Sequence, residues 1–219
     1  MDREFWLERW HSNRIGFHLE EVNPHLMAFW PQMAVPGEGR VFVPLCGKTL
    51  DLTWLAEQGH RVVGVEISEQ AVSDFFEEQG LKPEVANEGA FVRYRSGNIE
   101  ILWGDFFDLD TGTLGPVDGV FDRASLIALP PDMRRRYADH LHSLLPQRPP
   151  VLLVTLEYPQ AEMNGPPFAV TEGEVRDLYE PAYEVAMLRD WDVLAESPGF
   201  RERGLTSLRE RVYGLAGSE

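Results

Sequence analysis

The spacing of apolar residues along this chain switches repeatedly between two periods, and each switch marks an element. RVFVPL at 40–45 and RVVGVE at 61–66 are short apolar runs of strand type. Between them Leu52, Leu55 and Ala56 recur at helical spacing, with Asp51 placed to cap a helix through about Gln58 and Gly59 to end it. Ser68 suits the N-cap of a helix to about Gln79, along which Ala71, Val72, Phe75 and Phe76 form an apolar stripe. FVRYR (91–95) and IEILW (99–103) flank SGN (96–98), the pattern of a β-hairpin. VDGVFD at 117–122 is a further strand. Pro131 fits the first position of a helix to Leu145, with Met133, Tyr137, Leu141 and Leu144 on one face. VLLVTLEY at 151–158 is apolar without interruption, as in a central strand buried on both faces. Thr171 and Glu174 have capping-box spacing at the start of a helix over 171–180. AYEVAMLRDWDV and TSLRERVYGL then pair as a terminal hairpin.

Strands alternating with helices over short connections predict an α/β fold with a mostly parallel sheet and helices on both faces. Its crossovers are right-handed. Ligands in such sheets bind outside the carboxyl ends of the strands. That rule gathers Leu45–Gly47, Glu66–Ser68, Gly104–Phe106 and Asp122–Ser125 as candidate site residues. At 219 residues, without repeats or low-complexity tracts, the chain fits one domain, 1–219, with short linkers at 35–40 and 147–150 and a Pro/Gly loop at 158–168.

Charge narrows the partners. Thirty-six acidic against 20 basic residues give a net charge of −16, contrary to the basic face with which proteins grip nucleic acid. The densest basic run, Arg134–Arg136, reads as a solvated helix face. A small-molecule partner is expected, with no nucleic acid and no membrane. One cysteine, no apolar signal core in MDREFWLERW and no apolar run of membrane-spanning length fit a cytoplasmic protein.

The segment 44-PLCGKTLD-51 tests the chemistry. Gly47, Lys48 and Thr49 form the end of a phosphate loop, but the residue five positions before Gly47 is Phe42, inside the strand, so no wide glycine loop exists. The dinucleotide fingerprint also fails, since Gly47 is the one glycine of this turn and backbone cannot closely approach a pyrophosphate. Glu66, at the end of the second strand, nevertheless stands where a ribose-binding carboxylate sits. A ribose clamp without a pyrophosphate cradle fits a nucleoside cofactor lacking a diphosphate, and S-adenosylmethionine is the candidate. Asp105 follows the next core strand, where its carboxylate is placed to accept from an adenine amine. The Phe106 N–H is placed to donate to the ring, with Phe106 or Phe107 packed on the base. A helix cap for Asp105 and core packing for the phenylalanines are the alternatives.

These residues are familiar as a set. WLERWHSNRIGFH (6–18), RVFVPLCGKTLDLTWLAEQGHRVVGVEIS (40–68), FFEEQ (75–79), GNIEI (97–101), DRASLIAL (122–129), YADHL (137–141) and GPPF (165–168) together span nearly the whole chain. With them the sequence resembles the thiopurine S-methyltransferase family, and its bacterial branch most. The resemblance implies a Rossmann-like class I methyltransferase fold: a seven-stranded sheet, an antiparallel C-terminal strand, and residues 1–35 as an N-terminal cap over the site. It implies S-adenosylmethionine contacts from Trp10, Leu45, Glu66 and Arg123, with Glu66 on the ribose hydroxyls, Asp105 and Phe106 bordering the adenine, and Gly47 shaping the turn. Phe17 would wall the substrate pocket, and Arg123 would face cofactor or substrate. The family methylates aromatic and heterocyclic thiols, thiopurines included, and some bacterial members are associated with selenium and tellurium methylation. A monomer is expected.

Such a transfer needs no dedicated base, because heterocyclic thiols are acidic, and none is assigned. Arg123 either favours the thiolate or forms a structural ion pair. Trp6, Trp10 and Phe17 supply either aromatic walls or core anchors. His11, His18 and His25 repeat every seven residues, too far apart for ligands on one helix, and Gly16 and Pro24 interrupt any such helix, so no metal is expected. Cys46 reads as neutral packing beside the site, and GPPF as a substrate-loop or rim element. A nicotinamide oxidoreductase, a methyltransferase for another thiol or for halide, and a non-catalytic ligand-binding module are the competing readings.

Overall fold

Val41, Phe42 and Val43 are almost wholly buried and form β1 (Arg40–Val43), the centre of the first half of the computed structural model, which describes residues 3–217. The chain divides into two compact units, Met1–Phe121 and Asp122–Glu219. In the first, β1 lies parallel to β2 (Arg61–Glu66), with Arg40 opposite Arg61 and Val43 opposite Gly64. β2 lies parallel to β5 (Ile99–Trp103), which brings Glu66 opposite Trp103. On the other side of β1, Val41 and Phe42 pair with Gly119 and Val120, the start of β6 (Gly119–Arg123).

The hairpin forms as expected, β4 (Phe91–Ser96) running antiparallel to β5. A strand that apolar spacing does not reveal, β3 (Glu84–Glu88), extends this edge antiparallel to β4. Its burial is slight, so EVANE carries no period-2 signal, and the seven expected strands become nine among the described residues.

Helices α3 (Asp51–Glu57) and α4 (Glu69–Glu78) connect the parallel strands. Ser68 caps α4 through the Ala71 N–H, as expected, and Ala71, Val72, Phe75 and Phe76 are buried. The cap assigned to Asp51 is corrected: Leu50 holds the cap position without a side-chain bond. Asp51 instead turns inward, where its carboxylate accepts from the Asn23 backbone N–H at 2.7 Å and the Thr49 hydroxyl at 2.7 Å. It thereby anchors the N-terminal segment, which comprises α1 (Arg3–His11), α2 (Pro24–Phe29) and a 3₁₀ turn, Trp30–Met33. Trp30 donates from Nε1 to His60 Nε2 at 2.9 Å. Trp30 and Val35 press on Gly119, where an added Cβ would meet a Val35 methyl at 2.6 Å. Only glycine permits that approach. The short helix α5 (Thr111–Leu114), capped by Asp110, precedes β6.

The second unit starts at Asp122. A short helix, α6 (Ser125–Ala128), leads to α7 (Pro131–Leu144), whose Tyr137, Ala138, Leu141 and Leu144 face inward. β7 (Val151–Glu157) is flanked antiparallel by β9 (Arg209–Gly217), which pairs in turn with β8 (Tyr183–Asp192), the expected terminal hairpin. Between β8 and β9 lies α9 (Pro198–Glu202).

Three expectations change here. Arg134 is not part of a solvated face: its side chain is 1% exposed and donates to both carboxylate oxygens of Glu174 at 2.7 and 2.6 Å. That pairing takes the Glu174 side chain toward Arg134, so the capping box on α8 (Glu172–Tyr179) is half-made, with Thr171 Oγ1 accepting from the Glu174 N–H. The loop at 158–168 is better packed than its Pro and Gly content suggests. Tyr158 and Met163 join Ala169, Leu205 and Leu208 in a small apolar cluster. Gln160 closes the loop on itself, donating to Met163 O and accepting from Ala169 N–H.

Candidate functional site

In the first unit the carboxyl ends of β1, β2 and β5 lie side by side, and the turns leaving them supply the site. The turn after β1 doubles back at once. Leu45 has φ +47° and Gly47 φ +55°. A left-handed leucine costs about 1–2 kcal/mol, a local expense of the kind that clusters at ligand sites. Cys46, between them, donates its N–H to Val65 O at 3.0 Å and pins the turn to β2. Its thiol is buried, and that burial, reinforced by the Glu66 charge, pushes its pKa well above the ordinary value. Neutral packing is therefore the role of Cys46.

Glu66 occupies the centre. It is 5% exposed, accepting from Gly47 N–H at 2.9 Å on one oxygen and from Ser68 N–H at 2.8 Å on the other. Burial lifts its carboxyl to about 7, against the pull of these backbone bonds. Two carboxylate oxygens offer about four acceptor sites, so two N–H donors leave capacity for a vicinal diol. That acceptor set fits the ribose of a nucleoside cofactor.

The N-terminal segment supplies aromatic surface beside this turn. The Trp10 ring lies 3.0 Å from where a Gly47 Cβ would stand, so glycine permits both the φ and the contact. Phe17 packs edge-on against Trp10 at 5.5 Å and Trp6 at 5.7 Å. Trp10 is buried and Phe17 half-buried. Trp10, Phe17, Gly47 and Glu66 thus form one continuous set.

Beyond β5, Gly104 N–H donates to Glu66 O at 2.9 Å, which fixes Asp105 next in line. Asp105 Oδ1 accepts from Phe107 N–H at 2.9 Å, capping the 3₁₀ turn Phe106–Asp108. The cap uses one of its two oxygens. Phe106 is buried, with Phe107 edge-on at 5.4 Å. For both residues the structural alternative is realised.

Arg123 belongs to the second unit, half-buried at the end of β6. It is followed by Ala124 at φ +69°, a second left-handed residue at a strand-end turn. Its neighbour Asp122 is buried, with its carboxyl raised to about 6 by burial against the pull of the Tyr137 and Ser125 hydroxyls. Tyr137 Oη donates to Asp122 Oδ2 at 2.8 Å.

Leu7, His11 and Trp103, which sequence reasoning does not single out as site residues, line a groove beside α1 with Ile67 and Ser68, which the strand-end rule gathers. Trp103 Nε1 donates to Ile67 O at 3.1 Å, tying the β5 end to the residue after Glu66. Ile67, Ser68 and Trp103 stand at strand ends beside Glu66, whereas Leu7 and His11 come from α1. Among the described residues no group of three or more His, Cys, Asp and Glu side chains is arranged to hold a metal ion, and no helix is long and apolar enough to cross a membrane.

Comparison with known proteins bears on family and fold. The chain is similar to the thiopurine S-methyltransferase of Pseudomonas fluorescens (strain Pf0-1), 52% identical over 217 residues, 99% of this chain and 100% of the relative. It is 53% identical over 215 residues to that of Pseudomonas paraeruginosa (strain DSM 24068 / PA7), covering 98% of this chain and 99% of the relative. Among solved structures it is similar to a SAM-dependent methyltransferase from Anabaena variabilis, with TM-score 0.67, 12% identity, and 99% and 95% of the two chains covered. It is also similar to the magnesium protoporphyrin IX methyltransferase of Synechocystis with bound SAH, with TM-score 0.62, 16% identity, and 99% and 100% covered. Those likenesses bear out the class I methyltransferase fold. The family model described as thiopurine S-methyltransferase matches residues 1–218, and with relatives sharing half of all positions end to end, the chain belongs to the thiopurine S-methyltransferase family.

Proposed function

We propose that this protein transfers a methyl group from S-adenosylmethionine to the sulfur of aromatic and heterocyclic thiols, thiopurines among them, and to the softer selenium and tellurium analogues. The observation that carries the reading is Glu66, a buried carboxylate with acceptor capacity to spare, at the end of β2 in a chain of this family. When bound, S-adenosylmethionine supplies an electrophilic methyl group on a sulfonium.

The residues divide the work. Glu66 accepts the ribose hydroxyls. Asp105, through the oxygen its cap leaves over, and the Phe106 N–H border the adenine. Leu45, Gly47 and Trp10 bed the methionine part. Residues 1–35 cap the site in a single methyltransferase domain spanning 1–219, Trp10 and Phe17 excluding water. Arg123 reaches cofactor and substrate, its fixed positive charge favouring the thiolate. Holding the nucleophile at near-attack distance is the main catalytic task. Attack by an anion on a cation neutralises charge, so no oxyanion hole and no general base are required. The protein acts as a cytoplasmic monomer on small molecules, without nucleic acid or membrane.

Calorimetric titration with S-adenosylhomocysteine, followed by mass spectrometry of 6-mercaptopurine and thiophenol incubated with S-adenosylmethionine, tests this. Binding with S-methylated product is expected. No binding at millimolar ligand would sink the proposal.

A further inference from the structure

We infer that Arg134 is a positioning residue for the thiol side of the site, fixing the turn after Arg123 and the GPPF loop in one arrangement. The inference rests on the reading above, in which Arg123 faces the substrate, and on the sequence reading of GPPF as a substrate-loop or rim element. Arg134 stands in the first turn of α7 with its side chain 1% exposed. Its Nε donates to Leu129 O at 2.9 Å and Leu126 O at 3.2 Å. Leu126 lies within α6 and Leu129 caps its C-terminal end; the first residue of α6, Ser125, is two positions after Arg123. Ala124, between them, holds φ +69°. A non-glycine residue keeps that conformation only where its surroundings over-determine it.

The other branch of the guanidinium faces the loop. Nη1 donates to both oxygens of Glu174, in the first turn of α8. The GPPF loop leads into α8, and Phe168 N–H donates to Ile127 O in α6 at 2.7 Å. The Phe168 ring lies 5.9 Å from Arg134 Cζ. Tyr158 Oη donates to Pro167 O at 2.6 Å, closing the loop from its other end. One buried fork therefore joins the Arg123 turn, the GPPF loop and α8. A buried guanidinium needs acceptors beyond its ion-pair partner, and those that Arg134 takes are the Leu126 and Leu129 carbonyls that follow the Arg123 turn. The Arg134 fork is divided between a carboxylate and two backbone carbonyls, a geometry that the lysine ammonium does not reproduce.

The test compares Arg134→Lys, Arg134→Met and Glu174→Gln with the wild type. For each, KM and kcat for 6-mercaptopurine, Kd for S-adenosylhomocysteine and the thermal midpoint are measured. Loosening the loop should raise KM for the thiol about tenfold or more in Arg134→Met, because small misplacements of a substrate-positioning segment have large effects. Arg134→Lys should fall between Arg134→Met and the wild type, and Kd for the cofactor product should weaken by a smaller factor than KM, since Arg123 is one of several residues assigned to the cofactor. Glu174→Gln, which keeps a neutral acceptor, should raise KM in the same direction and decides the matter if Arg134→Met does not fold. Unchanged KM in folded variants, or Kd weakened by the same factor as KM, overturns the positioning role. A wild type that neither binds S-adenosylhomocysteine nor methylates the thiol overturns the functional reading beneath it.

Discussion

Replacing Glu66 by glutamine separates two effects that share one side chain. The carboxyl is buried and its pKa stands at about 7, raised from 4.5. The unfolded chain releases this proton near pH 4.5, whereas the folded protein keeps it to about pH 7. On this group's account stability is greatest below pH 4.5 and declines as pH rises through about 7. The interval between 4.5 and 7, at 1.36 kcal/mol per unit, corresponds to about 3 kcal/mol. Glutamine cannot ionise, so Glu66→Gln loses that slope. The amide accepts one of the two N–H groups and presents its own N–H to the other, which costs about 1–3 kcal/mol. Near pH 8 the two terms nearly cancel, leaving stability within about 2 kcal/mol of wild type, while at about pH 5 the variant is the weaker protein. Cofactor affinity moves one way only. Loss of a charged acceptor for the ribose hydroxyls removes about 1.5–3 kcal/mol, raising Kd for S-adenosylhomocysteine about 10- to 150-fold. Calorimetric titration and urea unfolding at several values between about pH 5 and pH 8 read both terms. Equal Kd values would remove Glu66 from the cofactor site, and parallel stability profiles would refute the raised pKa.

Other perturbations bear on neighbouring parts of the structure. Gly47→Ala should lower both the thermal midpoint and the affinity for S-adenosylhomocysteine, since φ +55° costs an alanine about 1–2 kcal/mol and the new methyl meets Trp10 at 3.0 Å; wild-type values for both would refute it. Cys46 should resist a thiol-specific chromogenic reagent in the folded protein near pH 8 and react fully in urea, because burial holds it as the thiol. Labelling of folded protein at the unfolded rate would contradict that. Tyr137→Phe withdraws the 2.8 Å donor from Asp122 and should destabilise the fold by about 1–3 kcal/mol above pH 6. The loss should shrink at lower pH, where the carboxyl is neutral, and a pH-independent loss measured by urea unfolding would count against the pairing.

The buried strands were legible because their signals are local. Val41–Val43, Val62–Val65 and Val151–Val154 are buried on both faces and therefore read as unbroken apolar runs. The site was legible for a related reason: Gly47, Glu66 and Asp105 stand at strand ends, so finding the strands located them. What stayed hidden depends on tertiary partners. EVANE forms a strand because β4 offers an edge, not because its residues alternate. Asp51 and Glu174 had local capping spacing, but each found a more distant partner, Asn23 N–H and Arg134. Arg134 looked solvated because charge is read along the chain, whereas its burial is set by α6, α8 and Phe168.

The central claim is methyl transfer to sulfur, and one measurement meets it directly. Purified protein is incubated with methyl-deuterated S-adenosylmethionine and 6-mercaptopurine, and the products are resolved by mass spectrometry. The account predicts a single labelled product methylated on sulfur, formed in equal amount with S-adenosylhomocysteine. S-Adenosylhomocysteine binding without a methylated product from any thiol or selenol, or a label on ring nitrogen, would contradict it.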